Sequence, residues 1–187
     1  MFHRIAAAAL SAAVLLSACD MPMTVMDDAG LETTATGGTL AFGEVASRCD
    51  RQAATLGTRI AATGGYALYD SRAGATGARP HFITGFSDGC PREFSAALAM
   101  FGDAATHAAT RYGESSQGQP YTATDTAYET IKAGICGAAA GQPCGAAMNR
   151  LSANTAFLTA YRSFGGDGPW VDMLIHGGSI VAATTRD

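Results

Sequence analysis

Trp170-Val171-Asp172-Met173-Leu174-Ile175-His176-Gly177-Gly178-Ser179-Ile180-Val181-Ala182-Ala183-Thr184 decides the fold. Two runs of apolar and β-branched side chains flank Gly177-Gly178, and a two-glycine link between such runs signals a hairpin with a primed turn. In that register Ile175 faces Ile180 and Met173 faces Ala182, with Leu174 and Val181 on the other side. The side carrying Val171, Met173, Ile175 and Ile180 is expected to pack on helices. Trp170 reads as core or rim, with ligand stacking as its alternative role. Upstream, the Thr-, Phe-, Leu- and Tyr-rich run from Thr155 to Phe164 ends at Gly165-Gly166-Asp167-Gly168-Pro169, so a third strand completes a C-terminal meander.

Working back from the meander, the period changes to that of helices. Phe94, Leu98 and Phe101 recur at i, i+4 and i+7 after Pro91, which predicts one amphipathic helix ending at Gly102. Asp103 is placed to cap a second helix from Ala104 to Tyr112, with Gly113 at its C-terminal cap. His107 in that helix has no ligating residue at i+3 or i+4 and reads as a surface or half-buried side chain. Thr122 and Asp125 form a capping-box pattern for a helix whose Tyr128, Ile131 and Ile135 share a face and which ends near Cys136. Met148 and Leu151 suggest one or two further helical turns.

Earlier still, Gly64-Gly65 breaks the chain before the strand-like Tyr66-Ala67-Leu68-Tyr69. A Gly- and Pro-containing loop, Asp70 to Pro80, joins it to His81-Phe82-Ile83-Thr84-Gly85-Phe86. These two strands are expected to pair antiparallel. Residues 40–60 are mixed, with a helical turn or two after Cys49. The class is therefore α+β: an antiparallel sheet of about five strands, three of them the meander, with the central helices packed on one face.

The first nineteen residues place this domain. Arg4 is followed by the uncharged run Ile5 to Leu16, which has the layout of a secretory n-region and h-region. Ile5 to Ala18 falls short of the roughly 20 residues that a helix needs to cross about 30 Å of hydrocarbon. Leu16-Ser17-Ala18-Cys19 resembles the lipobox of bacterial lipoproteins. The resemblance implies removal of residues 1–18 and diacylation of Cys19 on sulfur, with acylation of its new N-terminus. Several acyl chains hold a protein to a bilayer where one alone binds marginally. Asp20 leans the choice of membrane toward the inner one. Residues 19–38 then read as a tether, holding the domain on the order of 25 Å from the lipid, and residues 39–187 as a single globular domain.

Composition fits an envelope protein. Twelve basic against sixteen acidic residues give a net charge of −4, and loss of Arg4 with the leader makes it −5, so nothing attracts nucleic acid. Lys132 is the one lysine among those basic residues. Beyond Cys19 stand Cys49, Cys90, Cys136 and Cys144, an even set that an oxidising compartment would pair. Of the three connectivities, Cys49–Cys90 with Cys136–Cys144 is favoured, because the second pair closes a short Gly/Ala-rich loop. A four-thiolate zinc site needs cysteines two to four residues apart, which this chain lacks. Met21, Met23 and Met26 are soft enough for Cu(I) but read as incidental tether residues. No metal and no cofactor is implied.

Gly85-Phe86-Ser87-Asp88-Gly89 fits the G-x-S-x-G string of a nucleophile elbow, and Asp172 and His176 follow in the order Ser, Asp, His. Against this, too little chain precedes Gly85 for an α/β-hydrolase sheet. Asp172 and His176, four apart on one strand, would also stand about 13 Å from each other. A turn delivering Cys90 to its partner is the competing reading of the same residues. From Phe42 to Ala182 the chain is similar to small alphaproteobacterial lipoproteins without assigned activity, through Phe82-Ile83-Thr84-Gly85-Phe86 and Trp170-Val171-Asp172-Met173-Leu174. That resemblance implies no catalytic residues. The expected function is a lipid-anchored envelope protein facing the periplasm, non-catalytic, binding or supporting another envelope component. The alternative is a periplasmic serine hydrolase acting through Ser87.

Overall fold

The computed structural model describes residues 40–113, 118–165 and 168–186, so the lipobox, Cys19 and the tether lie outside the described residues. The fold is α+β, with both expected disulfides formed. Strands β1 (Val45–Ser47), β2 (Thr58–Thr63), β3 (Tyr66–Asp70), β4 (Arg79–Thr84) and β5 (Arg92–Ala96) form one sheet in the order β1-β5-β4-β3-β2. Strands β6 (Leu98–Asp103), β7 (Thr155–Tyr161), β8 (Trp170–His176) and β9 (Ser179–Arg186) form a second, in the order β6-β7-β8-β9. All neighbours pair antiparallel. Between β6 and β7 the chain makes α1 (Ala104–Arg111), α2 (Ala123–Cys136) and α3 (Met148–Ser152).

The two sheets face each other. Leu68, Ile83, Phe86 and Phe94 of the first interlock with Leu158, Val171, Met173, Ile175 and Ile180 of the second. Burying each such large side chain contributes roughly 1.5–3 kcal/mol. The helices cover the opposite face of the second sheet, where Phe157, Leu174 and Ala182 meet Ala104, Ala108, Tyr128 and Leu151. The order of layers is thus sheet, sheet, helices.

That arrangement corrects three sequence expectations. The side with Val171, Met173, Ile175 and Ile180 packs on the other sheet, and it is the alternate residue Leu174 that meets helices. Ile175 does face Ile180, but a bulge at Leu174/Ile175 leaves Val181 without an opposite residue and shifts Met173 onto Ala183. Thirdly, Phe94, Leu98 and Phe101 form no helix. The chain leaves the first sheet and enters the second at Ala97, so core-facing parity flips there: Phe94 and Ala96 point inward before it, Ala99 and Phe101 after it. A period of two interrupted by one such switch imitates the helical spacing.

Gly64-Gly65, expected only to break the chain, is a hairpin turn between β2 and β3, with φ of +57° and +84°. A Cβ on Gly64 would lie 2.4 Å from the Thr155 carbonyl oxygen, because this turn abuts the second sheet. Strand β2 itself is mostly exposed and so left little alternation to read. The helix boundaries follow their signals. The Asp103 carboxylate accepts from Thr106 N at 2.6 Å, Thr122 and Asp125 complete a capping box, and Gly137 ends α2 in the left-handed conformation.

The switch at Ala97 is fixed by a buried charged pair. Arg79 donates from Nε to Asp70 Oδ1 at 2.7 Å and from Nη2 to Asp70 Oδ2 at 2.5 Å, both side chains being almost wholly buried. Its Nη1 reaches the Ala97 carbonyl at 2.7 Å, while Ala97 N donates to Tyr161 O at 2.9 Å. His81, fully buried and stacked on Phe94, directs Nδ1 to the Arg79 carbonyl at 3.1 Å. A carbonyl only accepts, so Nδ1 carries the proton. The guanidinium holds the Asp70 carboxyl below its ordinary value, and burial holds His81 below its own.

Removing one partner strands a buried charge. Arg79→Met is expected to destabilise the domain by about 3–5 kcal/mol in urea unfolding. The double variant Asp70→Leu/Arg79→Met should recover most of that loss, and a double variant no more stable than Arg79→Met would refute the stranded-charge account.

Candidate functional site

Ser87 sits between two strands. Residues 85–91 connect β4 to β5, Gly89 N closes the turn on Phe86 O at 3.1 Å, and Asp88 Oδ1 accepts from Cys90 N at 2.9 Å. The element after the string is a strand, so no helix N-terminus lies beneath the hydroxyl. Arg92 holds the turn from within, with Nη1 at 2.9 and 2.8 Å from the two Asp88 oxygens and its guanidinium over the Phe86 ring. Burial raises the Asp88 carboxyl, but the Arg92 bond and the Cys90 N–H leave it below its ordinary value.

The hydroxyl joins the two sheets. Ser87 N and Oγ both donate to the Gly178 carbonyl, at 3.0 and 3.3 Å, and Gly178 N donates to Tyr66 Oη at 2.8 Å. Gly177 N donates to Asn154 O at 3.1 Å. The β8–β9 hairpin is therefore docked on the β4–β5 turn by backbone groups. At Gly178, with φ +85°, a Cβ would stand 2.8 Å from the Ser87 backbone nitrogen, so this approach requires glycine.

Asp172 and His176 lie on one face of β8, each opposite a threonine of β7. Asp172 accepts from Thr159 Oγ1 at 2.8 Å, and His176 Nδ1 is 2.9 Å from Thr155 Oγ1. Among the described residues neither one hydrogen-bonds Ser87. The three residues of the string-based triad are thus each engaged by separate structural neighbours. Trp170 lies at the rim of the second sheet, half-buried, its ring 6.2 Å from that of Tyr161 and 5.1 Å from the Arg186 guanidinium. Leu98-Tyr161-Trp170-Arg186 and Met100-Thr159-Asp172-Thr184 form two neighbouring rows across the sheet, and Thr124 N of α2 donates to Thr184 Oγ1 in the second at 3.3 Å.

The disulfides take two positions. Cys49–Cys90, with a Cα–Cα distance of 4.4 Å, ties the β1–β2 connection to the β4–β5 turn. Cys136–Cys144, at 5.3 Å, closes a loop on the C-terminus of α2.

Sequence reading missed two charged clusters on the helical layer. In the first, Asp125 lies 3.4 Å from both His107 Nε2 and Arg111 Nε, and His107 stacks on Phe157 at 3.8 Å between centroids. Burial pushes the Asp125 carboxyl up, yet the His107 imidazole beside it and the Thr122 capping groups together hold it down to about 2. In the second, Lys132 is fully buried beside Glu129 and Tyr112, with Nζ 2.6 Å from Glu129 Oε2 and 2.5 Å from the Tyr112 hydroxyl. Tyr112 in turn donates to Glu129 Oε1. An apolar groove of about 380 Å³ opens beside it, walled by Ala105, Ala109, Tyr112, Pro143 and Met148. The Glu129–Lys132 spacing of i,i+3 was a visible signal for the second cluster. The partners of His107 come from α2 and β7 and left no local trace.

No protein-family model, curated protein or solved structure matches the chain.

Two outcomes follow. Ser87→Ala removes one weak hydrogen bond and should change stability by no more than about 1 kcal/mol, while Gly178→Ala should destabilise markedly; equal effects in thermal unfolding would contradict the docking geometry. Acid should act in two windows. His81 and His176 are held below 6.5 by burial, so their contribution is complete above 6.5 and is lost as pH falls through their lower folded values. Asp70, Asp88 and Asp125 are held below 3.8, so theirs is complete above 3.8 and is lost below it, toward about 2 for Asp125. The melting temperature against pH checks both, and His81→Phe should flatten the upper window.

Proposed function

We propose that this chain is a lipid-anchored lipoprotein of the bacterial envelope, a disulfide-stapled and non-catalytic domain that binds or supports another envelope component. One observation carries the reading: all four cysteines downstream of Leu16-Ser17-Ala18-Cys19 are paired. Cytosolic thiols are kept reduced, so a domain with two such bonds belongs in an oxidising compartment. An exported chain with a lipobox would carry its lipid on Cys19 and face the periplasm, with Asp20 favouring retention at the inner membrane. The partner is reached from the tether and is a protein of the same envelope.

The engagement of Ser87, Asp172 and His176 by separate neighbours supports the absence of a serine hydrolase mechanism. A nucleophile needs a base within hydrogen-bond reach and an orienting group behind it. Ser87 instead donates to the Gly178 carbonyl, which cannot accept its proton in catalysis.

Intact mass of the protein extracted from membranes tests the anchor. It should show a chain beginning at Cys19 with acyl groups, and a gain of four hydrogens on reduction; a chain starting at Met1 with free thiols would end the proposal. A fluorophosphonate probe tests the chemistry on the same material: no adduct is expected, and one that disappears with Ser87→Ala would establish the hydrolase instead.

A further inference from the structure

Lys132 is the chain's single lysine, and no part of it reaches solvent. Lysines are rarely buried without a full set of partners. This one has three, because besides Glu129 and Tyr112 its Nζ donates to the Gln142 carbonyl at 2.7 Å. Gly141 N donates to Glu129 Oε2 at 3.1 Å. The loop between Cys136 and Cys144 therefore lies over the ion pair and binds both of its members through backbone groups alone.

Among the described residues, apart from the helix cap from Gly137 N to Ala133 O, these are the only hydrogen bonds that tie the loop to the helices. Gly137, Ala139, Ala140, Gln142 and Pro143 are exposed, and none of residues 137–143 belongs to either hydrophobic core. At its base Cys144 belongs to the helical core and Cys136, partly buried, packs against it. Covalent closure and the two hydrogen bonds to the ion pair are thus the main ties on the cover among the described residues. Pro143 also walls the groove whose floor includes Tyr112, the residue that shares its hydroxyl with Lys132 and Glu129.

We propose that Cys136–Cys144 is a redox latch, and that its reduction by a dithiol frees the 137–143 loop and opens Lys132 and Glu129 to the adjoining groove. The exchange balances: the dithiol becomes a disulfide, giving up two electrons and two protons, and the cystine takes them up as two thiols. An apolar groove then gains an ammonium and a carboxylate. The latch depends only on the described domain, so it stands or falls separately from the lipid anchor. Cys49–Cys90, which staples the first sheet, has no part in it.

A single lysine makes the test direct. The full chain is treated with an acetylating N-hydroxysuccinimide ester, and modification of Lys132 is followed by peptide mass while Trp170 fluorescence reports the fold. In the oxidised protein Lys132 should stay unmodified. In the Cys136→Ser/Cys144→Ser variant its rate should rise on the order of tenfold or more, as expected when loop closure is removed, with Trp170 emission unchanged. Cys49→Ser/Cys90→Ser should leave Lys132 protected. Equal rates in oxidised protein and latch variant would overturn the proposal. So would acetylation that appears only together with loss of the native Trp170 signal, because the bond would then be a structural staple and no latch.

Discussion

The bidentate pair of Asp70 and Arg79 is the constraint on which the two-sheet arrangement depends. Its donors are used in two directions, toward the carboxylate of the neighbouring strand and toward the Ala97 carbonyl where the chain changes sheets. A buried ion pair is weak evidence for net stability, since desolvation offsets most of its Coulomb energy. Its leverage is positional. A one-residue slip of β4 would turn Arg79, His81 and Ile83 outward together and strand Asp70 in the core. The fold therefore tolerates one register at this corner, and the inward side chains of both sheets inherit it.

From that corner the legibility of the fold can be understood. Signals that act over three or four residues survived intact: the Asp103 cap, the Thr122/Asp125 box, the Gly177-Gly178 turn and the closure of Cys136 on Cys144. What failed depended on partners far along the chain. Every residue of β5 is buried, the polar Arg92, Glu93 and Ser95 as well as Phe94 and Ala96, because β1 and β4 flank it and the second sheet packs against Phe94 and Ala96, and none of that is encoded nearby. The meander was legible as three strands, but which face met helices was not. Both faces of β8 carry large apolar residues, and only the presence of a second sheet, announced by the weakly patterned β2, decides between them.

The same distinction governs the functional reading. G-x-S-x-G is a local string, and the two glycines it requires also suit a tight strand-to-strand turn, where Gly85 and Gly89 adopt φ of +107° and +74°. Strand, turn and strand satisfy the letters as well as strand, turn and helix do. Ser87 is then spent on holding a hairpin. Lys132, by contrast, was conspicuous in composition, and its spacing from Glu129 hinted only at a local ion pair, for its meaning lies in a loop that reaches back over it.

The disulfides finally make sense against the character of the core. Among the described residues nine of the buried apolar positions are alanine: Ala46, Ala96, Ala97, Ala99, Ala104, Ala108, Ala156, Ala160 and Ala182. Alanine lets strands and helices approach closely, as Ala104 and Ala108 do against Phe157, but removes little apolar area from water. A domain built this way gains less from burial per residue than one built of leucine. Covalent closure acts on the other side of the balance by restricting the unfolded chain, by about 4 kcal/mol for a loop the length of Cys49–Cys90 and about 2.5 for one like Cys136–Cys144. The longer loop spans β2, β3 and β4, the part of the first sheet with the most exposed strand, and its bond is the main staple. The shorter encloses no strand and no core residue between its cysteines, so it contributes less to the fold as a whole and governs one local cover instead.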